Sequence, residues 1–315
     1  MADLDIVIVN WNSRHYLRGC LDALQAAHDE DAGLIRSVTV VDNGSSDDSL
    51  DGAAHERLPL RILRNRDNLG FAAACNQGAR GGNGNFLLFL NPDAAATAAA
   101  LRLPLDFMAR PGNRKVGICG VQLLDDAGHV ARSCARFPTP ASFAHAALGL
   151  DRILPARFPR ARMAEWDHGQ TRAVDQVIGA YFLIRRPLFE RLGGFDERYF
   201  VYFEEVDLSY RARRAGYVSV YLAGAPAWHR GGGSSDGIRA RRLYYSLRSR
   251  LLYAFKHFSA AGAASVVLLT LFVEPASRVG EAFLRRSPRR AAETLKGYAA
   301  LWAWLPRYLL LGRTR

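Results

Sequence analysis

Val38-Thr39-Val40-Val41-Asp42-Asn43-Gly44-Ser45-Ser46-Asp47 decides the fold of this chain. An apolar, β-branched run passes directly into an acidic, turn-forming segment. The same event occurs on both sides of it, where Ile6-Val7-Ile8-Val9 runs into Asn10-Trp11-Asn12 and Phe86-Leu87-Leu88-Phe89-Leu90 runs into Asn91-Pro92-Asp93. Runs without polar alternation indicate strands buried on both faces of a mainly parallel sheet. Ligands of such sheets bind beyond the carboxyl ends of the strands. Asp42 and Asp93 are therefore expected to point into one crevice.

Working outward, Ser13 is placed to cap a helix through about Ala27, with Tyr16, Leu17, Cys20, Leu21 and Leu24 on one face. Ser45-Ser46-Asp47-Asp48 reads as the start of a short helix, Leu60 to Leu63 as a third strand, and Gly70 to Ala79 as a small-residue helix packed tightly on the sheet. Ala94 to Ala109 reads as a helix and Val116 to Val121 as a fifth strand. An unbroken strand is expected from Val177 to Ile184, then a short helix from Pro187 to Gly193-Gly194. A helix from Glu204 to Arg214 stops at Gly216, a strand follows from Val218 to Leu222, and Gly231 to Ser235 reads as a mobile loop. Amphipathic helices are expected from about Arg241 to Phe258 and from about Arg289 to Leu311.

The chain has 315 residues, 49% hydrophobic, and a formal charge of +12. From Arg239 onward there are 15 Lys+Arg against 3 Asp+Glu, while residues 1–238 carry 27 of each sign. All the excess charge thus lies in the last quarter, giving an expected division into residues 1–238 and a basic tail, 239–315. In that tail Arg241, Arg242, Arg248, Arg250 and Lys256 alternate with Leu243, Leu247, Leu251, Tyr253 and Phe255, the pattern of a helix lying on an anionic membrane surface. A helical cap or an oligomer contact gives the same pattern, so a homo-oligomer stays open. No nucleic-acid motif accompanies the charge, and nucleic acid is not the expected partner. The apolar run Ser259 to Val273 is shorter than the roughly 20 residues of a spanning helix, so peripheral attachment is expected. The four cysteines lack metal spacing and read as buried reduced thiols. The acidic start, Met1-Ala2-Asp3, lacks the basic region of a signal peptide. The expected location is cytoplasmic, on the inner face of the membrane.

The turn after the first strand contains no G-x-G-x-x-G, which argues against a dinucleotide enzyme. Asp42 alone reads as a turn residue or as a carboxylate accepting a base N–H or ribose hydroxyl. Asn91-Pro92-Asp93 reads as a turn or as a divalent-cation site completed by water and substrate phosphate. Glu204, Glu205 and Asp207 crowd the start of one helix, where caps, surface charge or one catalytic base are alternatives. His229 after Trp228 reads as a packed or surface histidine, with its place beside a carboxylate-rich cleft weighing against that reading.

Taken together, these segments resemble the inverting family-2 glycosyltransferases of the GT-A fold, in their rhamnosyl- and galactofuranosyltransferase-like branch. The resemblance spans about residues 3 to 235. It is carried by the three strand-end segments, by Asn65-Arg66-Asp67-Asn68-Leu69-Gly70-Phe71 with Asn76-Gln77-Gly78, by Ile178-Gly179-Ala180, by Gly193-Gly194-Phe195-Asp196-Glu197, by Phe203-Glu204-Glu205-Val206-Asp207 and by Trp228-His229. It implies a Rossmann-like α/β domain with a mainly parallel sheet flanked by helices, followed by the membrane-associating helical appendage. The implied reaction moves a sugar, rhamnose first, from a nucleoside-diphosphate donor to a hydroxyl of a glycan or polyprenyl-linked acceptor of cell-surface polysaccharide synthesis. By the same resemblance Glu205 is the general base, a Glu where the family has Asp. Asp42, Asn68, Gly70, Asn91 and Asp93 bind the nucleotide sugar. Asp93 and His229 hold Mg²⁺ or Mn²⁺, and Gly179, Ala180, Glu204, Asp207 and Trp228 line or orient the acceptor side, which residues 125–172 are expected to cover. The alternative is a non-catalytic copy of the fold that binds nucleotide sugar or serves as a scaffold.

Overall fold

The computed structural model describes residues 3–51, 53, 55, 57–231 and 239–312; the loop expected at 232–235 lies outside them. The chain forms two compact units, one of residues 1–136, 164–197 and 204–234, the other of residues 137–163, 198–203 and 235–315.

The first unit is built on a nine-stranded sheet. Strands β1 (Leu4–Asn10), β2 (Ile35–Asn43), β3 (Leu60–Asn65) and β4 (Phe86–Leu90) are mutually parallel in the order β3-β2-β1-β4. All seven residues of β1 and all five of β4 are buried, as two-faced coverage by helices requires. The helices are α1 (Tyr16–Glu30), α2 (Phe71–Ala79) and α3 (Ala98–Ala109). Beyond β4 lie β10 (Tyr181–Arg185), β6 (Val116–Leu124), β11 (Val218–His229) and β5 (Ala94–Ala95), with β8 (Arg172–Val174) also on β11. β10 is antiparallel to both β4 and β6, so β6, and β11 parallel to it, run in the direction of β4. Between Leu222 and Pro226 β11 bulges, the intervening residues facing no partner on β6. β7 (Cys134–Ala135) and β9 (Gln176–Val177) form a separate ribbon, and α6 (Arg186–Arg191) and α7 (Glu204–Arg214) complete the unit.

The amino edge of the sheet is fixed by a buried ion pair. Arg186 donates from Nη2 to Asp5 at 2.6 Å, from Nε to the Gly84 carbonyl at 2.6 Å and from Nη1 to the Ala79 carbonyl at 3.1 Å. Asp5 also accepts from Ser37 and from the Gly84 amide. On one face α2 lies directly on β1 and β2 because Gly78 has no side chain: an added Cβ would overlap Val7 Cγ1 and stand 3.0 Å from Val41 Cγ2.

Four local expectations are corrected. Ser13 does not cap α1, whose N-cap is His15 without a side-chain bond, because the Ser13 hydroxyl is donated to Asn10 Oδ1. Residues 45–48 form no helix, since Ser45 and Asp47 accept from backbone amides of Asn12 and Arg14 instead. Ala94 and Ala95 pair with β11, so α3 begins only after the Thr97 cap. The strand expected from Val177 to Ile184 is broken at Ile178-Gly179-Ala180, where the chain changes partner from β7 to β4.

In the second unit α4 (Pro140–Ala147), closed by a Thr139–Ser142 capping box, and α5 (Leu150–Ile153) join α8 (Arg239–His257), α9 (Ala260–Leu268), α10 (Glu274–Leu284) and α11 (Pro288–Leu311). A π-helical turn, Leu269–Val273, links α9 to α10, so the apolar run continues as one helix to Leu284 that is long and apolar enough to cross a membrane by length and composition. Glu274 within it is buried and ion-paired to Arg250 and Arg278. These guanidinium groups outweigh burial and hold its carboxyl below the usual range. The apolar face of α8 is packed inside the unit, with Leu247, Leu251, Leu252 and Tyr253 buried. The exposed apolar side chains lie elsewhere: 12 of the 15 large ones among the described residues belong to this unit, on the α4–α5 segment and on α9 to α11.

Gly78→Ala is expected to destabilise the protein by about 1–3 kcal/mol through overpacking. An unchanged denaturant midpoint would show that α2 can back away from the sheet.

Candidate functional site

The strand directions place the candidate residues at one edge of the first unit. Asp42 ends β2, Asn91 and Asp93 follow β4, and His229 ends β11, all at carboxyl ends. Gly179 and Ala180 precede antiparallel β10 and so lie at the same edge, where the Asn91 amide donates to the Ala180 carbonyl at 3.0 Å. α7 joins the start of β11 through a short turn at Gly216 and runs back along the sheet, about 16 Å for its length. Glu204, Glu205 and Asp207 lie in its first turn.

One buried amide organises the β1–β2 corner. Asn10 donates from Nδ2 to Asp42 Oδ1 at 2.8 Å, to Ser49 Oγ at 2.8 Å and to Ser45 Oγ at 3.2 Å. The Ser45 amide reaches Asp42 Oδ2 at 3.4 Å. Asp42 is 6% exposed and held by both oxygens, each of which keeps acceptor capacity. Asn43 performs the same service one position on. It donates to Asn68 Oδ1 at 2.9 Å and to the Gly70 carbonyl at 3.2 Å, and accepts from the Leu69 amide at 3.0 Å. Gly44, at φ 75°, lets the Asp67–Asn68 backbone come so close that a Cβ would stand 2.9 Å from a carbonyl carbon.

At the end of β4, Asp93 Oδ1 is 3.3 Å from His229 Nε2, and Asn91 Nδ2 is 3.4 Å from the same nitrogen. Pairing of Ala94 with His229 across β5 and β11 sets that approach, and the Arg230 amide donates to the Asp93 carbonyl at 3.2 Å. A carboxylate and an imidazole bound side by side to one small divalent ion stand about 3 Å apart, so this pair fits such an ion. Among the described residues no third His, Cys, Asp or Glu joins it. Further ligands would come from water and a substrate diphosphate. Burial, and then the charge of Asp93, push the Cys20 thiol far above its ordinary range, so Cys20 serves as packing at this site.

Two successive left-handed residues, Tyr202 and Phe203 with φ 68° and 71°, turn the chain into α7. Such backbone is strained for large side chains and clusters at functional positions. Glu204 is buried, and its Oε2 has no hydrogen bond among the described residues. Burial first, and the charge of Glu205 second, raise its carboxyl well above the usual range, so Glu204 keeps a proton where an exposed carboxyl would lose it. Glu205 is the more exposed of the two. Asp207 is fully buried and binds Arg211 Nε at 2.7 Å, while the same guanidinium donates to the Leu192 and Gly194 carbonyls at 2.6 and 2.8 Å. Asp207 thus anchors α7 to the Gly193-Gly194 turn. Asn76 locks onto that segment by bonds to both backbone groups of Phe195, at 2.8 and 2.9 Å.

Trp228 is not brought to the Asp93–His229 pair. Adjacent strand residues face opposite ways, and Trp228 lines a separate cavity with Ala23, Ala27 and Ala96. Asn10, Asn43 and Arg230 received no role from the sequence. The first two stood inside the quoted segments as amides at strand ends, and Arg230 directly follows His229.

Residues 5–135 match the family described as Glycosyl transferase family 2. The chain carries a family 2 glycosyltransferase domain. This glycosyltransferase is 29% identical over 242 residues to the N-acetylglucosaminyl-diphospho-decaprenol L-rhamnosyltransferase of Mycobacterium tuberculosis, covering 72% of this chain and 75% of that protein. It is 25% identical over 218 residues to the low-salt glycan biosynthesis hexosyltransferase Agl10 of Haloferax volcanii, covering 68% and 62% of the two chains. Among solved structures it is similar to the mannosyltransferase PcManGT of Pyrobaculum calidifontis in complex with GDP-Man and Mn²⁺, with TM-score 0.55, 20% identity and 99% and 84% of the two chains covered. S. aureus TarS 1-349 in complex with UDP-GlcNAc gives TM-score 0.55 and 16% identity over 94% and 79%. The two structures fix the fold of the glycosyltransferase as GT-A-like.

The raised carboxyl of Glu204 has a measurable sign. A group that holds its proton more tightly when folded stabilises the fold at low pH, and that contribution is lost as pH rises through its folded value. Glu204→Gln is expected to raise the melting temperature at neutral pH and leave it unchanged below the ordinary Glu value of about 4.3; the same increment at both pH values would refute a protonated Glu204.

Proposed function

We propose that this glycosyltransferase moves a sugar, rhamnose first among candidates, from a nucleoside diphosphate to a hydroxyl of a polyprenyl-linked acceptor, with inversion at the anomeric carbon. The observation that supports the reading is the Asp93–His229 pair, 3.3 Å apart at the carboxyl ends of β4 and β11, with Asp42 at the carboxyl end of β2. The rhamnosyltransferase of M. tuberculosis, whose name specifies a diphospho-decaprenol acceptor, supports the choice of sugar and acceptor.

Glu205 takes the proton as the acceptor oxygen forms its bond to the anomeric carbon, and the bond from that carbon to the diphosphate breaks on the opposite side. A base so placed contributes typically ~10²–10⁴-fold in rate. Burial first, and then the charge of Glu205, hold the carboxyl of Glu204 beside it well above its usual range. Asp42, oriented by Asn10, receives the nucleobase or ribose, and Asn68 and Gly70 shape the nucleotide side. Gly179 and Ala180 leave room beside them: a Cβ on Gly179 would meet only Phe71, at 4.0 Å. Asp93 and His229 would hold Mg²⁺ or Mn²⁺, which when bound supplies positive charge to the departing diphosphate. The single displacement requires no enzyme nucleophile, and the buried cysteines, with thiols at 119 and 134 pushed up to about 12 by burial, are not candidates for one. The helical unit, with the tail 239–315 as its main part, attaches to the cytoplasmic membrane face through its exposed apolar side chains.

Glu205→Gln is expected to lower kcat by ~10²–10⁴-fold with unchanged donor affinity, read by release of nucleoside diphosphate and by calorimetric titration of dTDP-rhamnose; near-normal turnover would remove Glu205 from the role. Asp93→Ala is expected to abolish the difference in donor affinity with and without Mn²⁺, and a difference that persists in the variant would place the ion elsewhere.

A further inference from the structure

The helical unit contains a cavity of about 410 Å³ that the catalytic reading does not use. Arg152, Arg239, Arg278, Arg285 and Arg290 line it against only Glu281 and Glu293. Most of these charges are already matched. Glu281 accepts from Arg152 at 2.8 Å and from Arg285 at 3.0 Å, Arg278 is held by Glu274 at 2.7 Å, and Glu293 pairs with Arg289 at 3.3 Å. Arg239 and Arg290 have no carboxylate partner among the described residues.

Their positions compound the excess. Arg239 opens α8 and Arg290 lies in the first turn of α11, neither of which has an acidic residue in that turn; Ser287 makes no side-chain cap on α11. A helix N-terminus carries positive partial charge and free N–H groups, so a cation there is disfavoured and an anion favoured. Two unmatched guanidinium groups and two helix starts thus line one cavity of the size of a phosphate or diphosphate ester with its first hydration waters. The residues next to the lining arginines are apolar and exposed: Ile153 is 72% exposed beside Arg152, and Phe283 and Leu284 are 71% and 89% exposed just before Arg285. Guanidinium groups beside outward aliphatic and aromatic side chains match a phosphate ester that carries a hydrocarbon chain.

We propose that this cavity binds the phosphate head of a lipid, with Ile153, Phe283 and Leu284 entering the hydrocarbon layer. The site stands independently of the catalytic assignment. The shared chemistry is a phosphate ester on an apolar chain, whose source is bulk anionic phospholipid or a polyprenyl diphosphate.

The test is sedimentation of the full chain with three vesicle preparations: phosphatidylcholine alone, phosphatidylcholine with phosphatidylglycerol, and phosphatidylcholine with a trace of undecaprenyl diphosphate. Binding is expected to one or both phosphate-doped preparations above the neutral lipid, and the preparation that binds identifies the source. Arg239→Gln/Arg290→Gln is expected to weaken it roughly thirtyfold. The control, Arg241→Gln/Arg307→Gln, removes the same charge from exposed positions outside the cavity and is expected to retain more of the binding; melting curves of both variants verify folding. Equal losses in the two variants, no binding beyond neutral vesicles, or inorganic pyrophosphate held as tightly as the lipid-borne group would each overturn the proposal. Glu205→Gln is expected to bind vesicles like the unaltered chain, so a failure of the catalytic reading and a failure of this site are read separately.

Discussion

The ion pair between Arg186 and Asp5 is the constraint on which the first unit depends. A guanidinium and a carboxylate removed from water are tolerable only when their remaining hydrogen-bonding capacity is used, and here it is, by Gly84, Ala79 and Ser37. The pair joins the beginnings of β1 and β4 to the end of β10 and the end of α2. One edge of the sheet is thereby closed by strong, saturated contacts. The other edge is left for polar side chains that are oriented but not exhausted. Asp42 is steered by Asn10 and retains acceptor capacity, and Asp93 and His229 stand 3.3 Å apart.

The carboxylates of the α7 segment divide their work by environment. Asp207, fully buried, is neutralised by Arg211 and holds the helix in place. Glu204, also buried, meets no cation among the described residues, and burial raises its carboxyl well above the usual range. Glu205 has the wetter position. Three acidic residues within four positions would repel one another in water; here Asp207 is paired with Arg211 and the carboxyl of Glu204 is raised well above its usual range.

Much of this was legible in the sequence, because buried parallel strands ending in acidic turns leave a composition that survives folding unchanged. The edge carrying Asp42 and Asp93 follows from strand direction alone. What was not legible has physical causes. Ser13 and residues 45–48 carry capping chemistry, but their side chains are drawn into the Asn10 and Asn12 network, a tertiary competitor invisible locally. The break at Gly179 lies inside an apolar run whose composition is identical whether a strand continues or changes partner. The basic face of α8 suggested a surface helix, yet its leucines are consumed by packing within the helical unit. The arginine cavity gathers residues 152, 239 and 290, which no local periodicity relates.

The bulge in β11 fixes a phase. Three residues, Ala223 to Ala225, are inserted where the partner strand advances by one, and this sets which of the oppositely facing side chains at 228 and 229 turns to which side. Loss of a single residue from that bulge would exchange the two, turning an aromatic wall toward Asp93 and burying a titratable ring against alanines. Loops elsewhere tolerate changes of length at little entropic expense; here length is a parity bit, and the chemistry of the edge is read out only when the insertion stays odd.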